Sequence, residues 1–215
     1  MKSSLIQKLP FDMFQRYMLV KEIINCVRTR RSIHILDVGG HPGVISDFFP
    51  ADKTHVIDLK VCKRENFVRA DCQSLPFRSG IFDLVTNIDV LEHLPKGKRL
   101  QVLEELLRVS RRFVVVAAPS DLEEVRRADR ALYDYIVNVL KREDENLKEH
   151  MAYGLPNLGE FRDFLDSRDL VHIEFSNGYL GNWLPMQMLI FHISSGEAHT
   201  SSHQRIFALF KRRYQ

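Results

Sequence analysis

The stretch "ILDVGGHPG", Ile35 to Gly43, decides the fold class, because an apolar run containing one acid leads directly into a glycine-rich turn. The run "SIHILDV" is rich in β-branched residues and predicts a strand. After the turn, "GVISDFFP" predicts a short helix that ends before Pro50. A strand, a glycine turn and a helix in this order predict the first βα unit of a parallel sheet.

Strands alternate with helices along the rest of the chain, which predicts a doubly wound, mostly parallel, seven-stranded Rossmann-like α/β sheet with helices on both faces. The helices are predicted at 10–28, 43–49, 97–109, 120–150, 157–170 and 183–193, and the strands at 32–38, 53–58, 66–72, 82–87, 111–119, 171–178 and 205–213. The consecutive apolar residues of "RRFVVVAAP" predict a fully buried strand. We expect a single domain over residues 1–215, with a helical leader at 1–31.

The composition is that of a globular protein, with 45% hydrophobic and 27% charged residues. A net charge of +3 without a clustered basic patch disfavours nucleic acid as a partner. Three cysteines without a close pair argue for a reducing compartment and against a disulfide framework or a structural zinc site, and no metal is expected. The N-terminus lacks an apolar leader, and the longest apolar run, at 183–193, is too short to span a membrane, so we expect a cytoplasmic protein.

The glycine turn does not fit the common nucleotide motifs. In a doubly wound sheet, the turn after the first strand contacts the ligand. A dinucleotide fingerprint, counted from Gly39, requires glycines where His41 and Val44 stand, and counting from Gly40 fails in the same way. No Gly-Lys-Ser/Thr follows the turn, so a P-loop is excluded as well. An NAD(P)-dependent oxidoreductase is therefore only an alternative interpretation.

The turn instead resembles motif I of the class I S-adenosylmethionine-dependent methyltransferases, in which an acid and any residue precede Gly-x-Gly-x-Gly. Here the motif reads from Asp37 to Gly43, with His41 in place of the middle glycine. The segment Leu75–Leu94, "LPFRSGIFDLVTNIDVLEHL", is similar to the family's sequence through the fourth strand. The chain is identified on these motifs as a member of this class, close to its small type-11-like representatives.

The resemblance implies S-adenosyl-L-methionine as methyl donor and S-adenosyl-L-homocysteine as product. It implies the following cofactor-binding residues: Arg16, Tyr17, Asp37, Gly39, Gly40, His41, Gly43, Asp58, Leu59, Asp71, Cys72, Asn87 and Ile88. In the family, the acid at Asp58 would take both ribose hydroxyls and the acid at Asp71 would meet the adenine amino group. Arg16 and Tyr17 would reach the cofactor's carboxylate.

Several residues carry two interpretations. His41 is either a surface residue or a donor to the methionyl carboxylate. His93 is either a general base, since imidazole titrates near neutral pH, or a histidine that packs near the site and caps the next helix. His150 and Tyr153 either face the substrate or belong to a plain loop. The apolar segment Tyr179–Ile193 is either core or the partner surface of a homodimer.

The resemblance implies in-line methyl transfer to an acceptor that the cofactor half of the sequence does not specify. We expect a small molecule, a sugar or a lipid-linked acceptor, with a helical insert at 120–168 on the substrate side. A base is required only where the acceptor must lose a proton. A non-catalytic module that kept the fold and an RNA-modifying enzyme are further alternatives.

Overall fold

A computed structural model of the chain describes residues 9–176 and 180–195, and its centre is a parallel sheet of five strands. The strand order is β3-β2-β1-β4-β5. In chain order the strands are β1 (His34–Val38), β2 (Lys53–Asp58), β3 (Phe67–Arg69), β4 (Phe82–Ile88) and β5 (Ser110–Ala117).

Seven α-helices and one short 3-10 helix occur in the described ranges. They are α1 (Phe11–Val27), α2 (Ile45–Phe48), the 3-10 helix Leu91–His93, α3 (Lys96–Val109), α4 (Glu123–Asn138), α5 (Glu145–Tyr153), α6 (Leu158–Asp166) and α7 (Leu180–Ser195). None of these helices is both long and apolar enough to cross a membrane. The described residues fall into two compact units, the first of 9–90 and 101–117 and the second of 91–100, 118–176 and 180–195.

The first unit contains the sheet, and the register of its strands brings their carboxyl ends together. Val38 at the end of β1 pairs with Ile57 of β2 and with Asn87 of β4. β4 is buried at every position because it lies between β1 and β5. The residues that follow β1, β2 and β4 therefore meet at one edge of the sheet, where parallel α/β sheets bind ligands.

The core of this unit packs α1 and α2 against the sheet. Phe14, Tyr17, Val20 and Ile24 of α1 are almost fully buried, at the spacings of three and four that one helical face requires. The Tyr17 ring stacks on Phe48 of α2, with ring centroids 5.4 Å apart. This packing fixes the Tyr17 hydroxyl near the glycine turn.

The second unit is helical, and its core joins α4, α5 and α7. Leu132, Ile136 and Leu147 are buried there. Trp183, Leu184, Met188 and Phe191 of α7 pack against this cluster. Part of the apolar segment 179–193 thus serves as core, while Leu189 is 47% exposed and Tyr179 lies outside the described residues.

Two predictions about strands were wrong. The sheet has five strands rather than seven among the described residues, because 171–176 lie in no strand and 205–213 fall outside the described ranges. Val171, Ile173 and Phe175 alternate with other side chains as in a strand, but they are 99%, 87% and 55% exposed. The prediction that β5 is fully buried was also wrong: it is the edge of this sheet, and Arg111, Arg112 and Phe113 are exposed.

The predicted helix 120–150 is two helices. α4 ends at Asn138, and Lys141 then adopts a positive φ of 54°, which no helix interior tolerates. α5 starts again after Asp144, whose carboxylate accepts a hydrogen bond from the Leu147 amide at 3.0 Å. Such an N-cap satisfies one of the amides that a new helix leaves without a partner.

Candidate functional site

The glycine turn between β1 and α2 is shaped by the protein's own packing. Gly39 and Gly43 have φ values of +77° and +83°, which side chains with a Cβ rarely adopt. A Cβ on Gly39 would overlap the Val90 side chain, and one on Gly40 would overlap the Asp37 carboxylate. These glycines are therefore required for the turn to close, whether or not a ligand is bound.

The amides of the turn donate within the protein. The Gly39 and Gly40 amides both donate to the Ile57 carbonyl, at 2.8 and 3.3 Å. The His41 amide donates to Asp58 Oδ2 at 3.0 Å. These amides are therefore already hydrogen-bonded, so a ligand at this turn would contact the glycine backbone rather than free amide donors. The same hydrogen bonds connect the turn to the end of β2.

Asp37 lies beneath the turn and is fully buried. Tyr17 donates to its Oδ2 at 2.6 Å, and Thr86 of β4 donates to its Oδ1 at 2.7 Å. Burial raises the pKa of Asp37 to about 6, although both hydrogen bonds act to lower it. Burial and the adjacent Asp37 also raise the pKa of Tyr17 well above its usual value. The Tyr17 hydroxyl is thus hydrogen-bonded to Asp37, and the carboxylate of Asp37 lies directly under the turn and supports it.

Arg16 has carboxylate partners inside the first unit. Its guanidinium pairs with Asp89, directly after β4, and lies 3.5 Å from Asp12 one helical turn earlier. Asp89 has a φ of 53° and donates its amide to the Ala117 carbonyl at 2.8 Å. Arg16 is therefore held at the carboxyl edge of the sheet, where a bound carboxylate would compete with Asp89 for it.

Asp58 ends β2 and is half-buried. Besides the His41 amide on Oδ2, its Oδ1 accepts the Lys60 amide at 2.8 Å. A carboxylate has about four acceptor sites, so Asp58 retains capacity for hydroxyl donors. Leu59 and Val61 beside it are 62% and 64% exposed, an apolar surface next to a carboxylate.

Asp71 and Cys72 follow β3. Asp71 is exposed, and its Oδ1 accepts the Gln73 amide at 2.8 Å. Burial, together with the neighbouring Asp71, raises the pKa of Cys72 to about 12. Cys72 is consequently a neutral thiol at neutral pH, suited to packing rather than to nucleophilic chemistry.

Asn87 carries the clearest sign of a missing partner. The residue is fully buried, and its Nδ2 donates to the Val38 carbonyl at 3.0 Å. Its Oδ1 is buried too, and it has no hydrogen-bond partner among the described residues. A buried acceptor left without a donor costs about 1–3 kcal/mol.

Two further predicted cofactor residues differ in exposure: Ile88, next to Asn87, is 8% exposed, whereas His41 in the turn is exposed.

The predicted acceptor-side residues lie in the second unit. His93 Nδ1 lies 2.8 Å from Glu149 Oε2, and His150 Nδ1 lies 2.9 Å from Asp129 Oδ2. The centroids of the two imidazole rings are 5.0 Å apart. Tyr153, 37% exposed, ends α5 close by in sequence.

Sequence reasoning missed the residues that hold these groups in place. Thr86 and Asp89 carry no motif of their own, and Asp129 is one of many charges on α4. Arg99 is 2% exposed and donates to carbonyls at both ends of the segment 91–94 and in 153–155. The one sequence signal for Arg99 is its position on α3, next to Leu100 and on the same side of the helix as Leu103 and Leu106.

The strand order and the glycine turn at the sheet's carboxyl edge form a Rossmann-like α/β fold. Two solved structures share it. The YcgJ protein of Bacillus subtilis is 15% identical over 88% of both chains, with a TM-score of 0.52. The plantazolicin methyltransferase BpumL, solved with S-adenosylhomocysteine (SAH) and a pentazolic desmethylPZN analog, is 17% identical with a TM-score of 0.55, covering 74% of this chain and 63% of that one.

Residues 47–116 match the family described as methyltransferase domain. An uncharacterized methyltransferase of Mycolicibacterium gilvum (strain PYR-GCK) is 33% identical over 94 residues, and another of Mycobacterium sp. (strain KMS) is 34% identical over 88 residues. The matched segments cover 38% and 36% of this chain, but only 36% and 34% of those relatives. The predicted resemblance is confirmed over residues 47–116, which match a methyltransferase domain.

Proposed function

We propose that this protein is an S-adenosyl-L-methionine-dependent methyltransferase that acts in the cytoplasm on a small-molecule, sugar or lipid-linked acceptor. The observation that carries the proposal is the buried Asn87 Oδ1, an acceptor without a described partner at the carboxyl end of β4. Asn87 pairs in register with Val38, the residue before the glycine turn. A ligand that donates a hydrogen bond to Asn87 Oδ1 would remove the free-energy cost of leaving this buried acceptor without a donor.

The other predicted residues of the first unit suit the same ligand. Asp58 would take ribose hydroxyls on its remaining acceptor sites, since carboxylates form charge-assisted hydrogen bonds with such donors. The exposed Leu59 suits the flat face of an adenine ring. Arg16, which Asp89 holds, would meet the methionyl carboxylate, while Tyr17 and Asp37 fix the turn from below.

When bound, S-adenosylmethionine supplies a methyl group on an already activated sulfonium. The protein's contribution is then mainly to hold donor and acceptor in position, which can contribute about 7–11 kcal/mol. His93, His150 and Tyr153 remain predictions for the acceptor side. A carboxylate holds Nδ1 of each histidine ring, so further chemistry falls to Nε2.

Calorimetric titration of the full chain with S-adenosylhomocysteine tests the proposal. We expect one binding site, and we expect Asp58→Ala to weaken binding about tenfold or more, since a charged hydrogen-bond partner contributes about 1.5–3 kcal/mol. Asp134→Ala, which changes an exposed aspartate of α4, is the matched control and leaves the affinity unchanged. Equal losses in both variants would contradict the ribose assignment.

Melting temperatures separate the alternatives. A ligand that binds only the folded state raises the melting temperature to an extent set by its concentration relative to its dissociation constant. Stabilisation by NADH but not by S-adenosylhomocysteine would favour an oxidoreductase. Stabilisation by neither would favour a non-catalytic module, and a steep salt-dependent affinity for RNA would favour an RNA-modifying enzyme. Sedimentation of the full chain tests the predicted homodimer.

A further inference from the structure

The second unit brings two histidines and a buried acid into one cluster that the sequence does not indicate. Glu92 and His93 lie on the 3-10 helix, and His150 lies near the end of α5. One ligand atom from each of the three residues lies within 4.8 Å of the others. Glu92 is 2% exposed, so its carboxylate belongs to the interior of this unit.

Each histidine of the cluster is oriented by a carboxylate of its own. Glu149 holds Nδ1 of His93 at 2.8 Å, and Asp129 holds Nδ1 of His150 at 2.9 Å. A carboxylate on one ring nitrogen fixes the proton there and makes the other nitrogen the basic one. This carboxylate–histidine pairing is the outer arrangement that most metal-binding histidines show, and here it occurs twice.

The residue types indicate the class of ion. Two imidazoles and one carboxylate form the His₂Glu set of zinc hydrolases, whereas magnesium and calcium prefer oxygen ligands alone. Zinc bonds of about 2.0–2.1 Å place ligand atoms about 3.4 Å apart, so binding would draw the three ligand atoms, which lie within 4.8 Å of one another, closer together. Three protein ligands leave a coordination position for water or a small ligand.

The surrounding charge favours a divalent cation. Glu92, Glu149 and Asp129 bring three acids to the two imidazoles. Arg99 offsets part of this charge, since Glu92 acts on its guanidinium electrostatically. The Arg99 guanidinium itself donates to backbone carbonyls and so supports the loop next to the cluster rather than filling it.

We propose that Glu92, His93 and His150 form a binding site for a zinc-type divalent cation, with Glu149 and Asp129 as the groups that position the two imidazoles. All residues of this site belong to the second unit, whereas the predicted cofactor residues belong to the first. Binding of S-adenosylhomocysteine to chelator-treated protein therefore tests the proposed methyltransferase function separately from the metal.

Titration of untagged, chelator-treated full-length protein with Zn²⁺ and Co²⁺ tests the site. We expect one equivalent of either ion to bind, and Co²⁺ to give the visible absorption of a four- or five-coordinate site without a thiolate charge-transfer band. Absence of stoichiometric binding would overturn the proposal. A thiolate band would overturn it as well, because it would place the ion on one of the free cysteines.

Variants locate the site. Glu149→Gln keeps the side-chain shape, and we expect it to weaken Zn²⁺ binding about 10–100-fold, as loss of an outer partner does. His150→Gln and Glu92→Gln should weaken it further. His172→Gln changes a partly exposed histidine of the same unit and is the matched control. Equal affinity in wild type, Glu92→Gln and His150→Gln would refute the assignment, and circular dichroism identifies any variant that fails to fold.

Discussion

Replacing Tyr17 by phenylalanine tests whether the buried carboxylate under the glycine turn organises this fold. The substitution removes one hydroxyl that donates to Asp37 Oδ2 at 2.6 Å and leaves the ring stacked on Phe48. Thr86 remains as the second donor to Asp37. The change is thus confined to a single hydrogen bond to a fully buried acid.

The magnitude depends on pH because the pKa of Asp37 is raised from 3.8 to about 6. At pH 8 the carboxylate is charged, and a hydrogen bond to a charged group contributes about 1.5–3 kcal/mol. At pH 5 the acid is mostly protonated, and a neutral hydrogen bond contributes about 0.5–1.5 kcal/mol. We therefore expect Tyr17→Phe to lower the free energy of unfolding more at pH 8 than at pH 5.

The direction follows from proton linkage. The folded state holds the Asp37 proton more tightly than the unfolded state, so stability falls as the pH rises from about 4 to about 6. The raised pKa corresponds to about 3 kcal/mol of stability lost over that range. Loss of the Tyr17 hydroxyl raises the folded pKa of Asp37 further, which extends the fall to higher pH.

Urea denaturation at pH 5 and pH 8, followed by circular dichroism, measures the effect. The control is the same substitution in an Asp37→Asn background, where no charge develops at position 37 and the cost of Tyr17→Phe should be equal at both pH values. An equal cost at the two pH values in the wild-type background would refute the reasoning. So would a pH dependence that persists with asparagine at position 37.

Two further outcomes follow from packing. Gly40→Ala should lower the free energy of unfolding by about 1–3 kcal/mol, because the new Cβ would overlap the Asp37 carboxylate. Gly97→Ala on α3, where a Cβ has open space, should raise it by about 0.5–1 kcal/mol. Thermal melts of the two variants separate the overlap from a general glycine effect, and equal shifts in melting temperature would argue against the overlap. Arg99→Lys should lower the melting temperature although it keeps the charge, because an ammonium cannot replace a guanidinium that donates to several carbonyls. The control Arg127→Lys, at an exposed residue of α4, should leave the melting temperature unchanged. An unchanged melting temperature in Arg99→Lys would contradict the role of Arg99.

Local pattern predicted much of the first unit. β1, the glycine turn, α2 and β2 follow one another as expected, because a β-branched run, a glycine cluster and a short amphipathic segment each determine their conformation locally. The same holds for α3 and for β4, which was predicted as a strand over 82–87 and is buried at every position. The order of the acids and glycines along these elements was sufficient to indicate the fold class.

Local sequence pattern failed to predict strands correctly where pairing with distant segments decides whether a segment joins the sheet. Residues 171–176 have the alternation of a strand but no strand partner in the described part of the chain, so their apolar side chains are exposed. β5 has the composition of a central strand but lies at the edge of the five-stranded sheet. Backbone hydrogen bonds between strands come from distant segments, which no local window contains.

The sequence by itself indicated the resemblance to class I methyltransferases and predicted a set of cofactor residues, because the turn after β1 needs glycines at fixed places and an acid before them. Only the tertiary structure decided what those residues contact. It placed the Tyr17 hydroxyl on Asp37, Arg16 on Asp89 and the turn's amides on β2, and it left Asn87 Oδ1 without a described partner. A hydrogen bond depends on the distance and direction between two atoms, and for residues 20 or 49 positions apart the fold alone sets both.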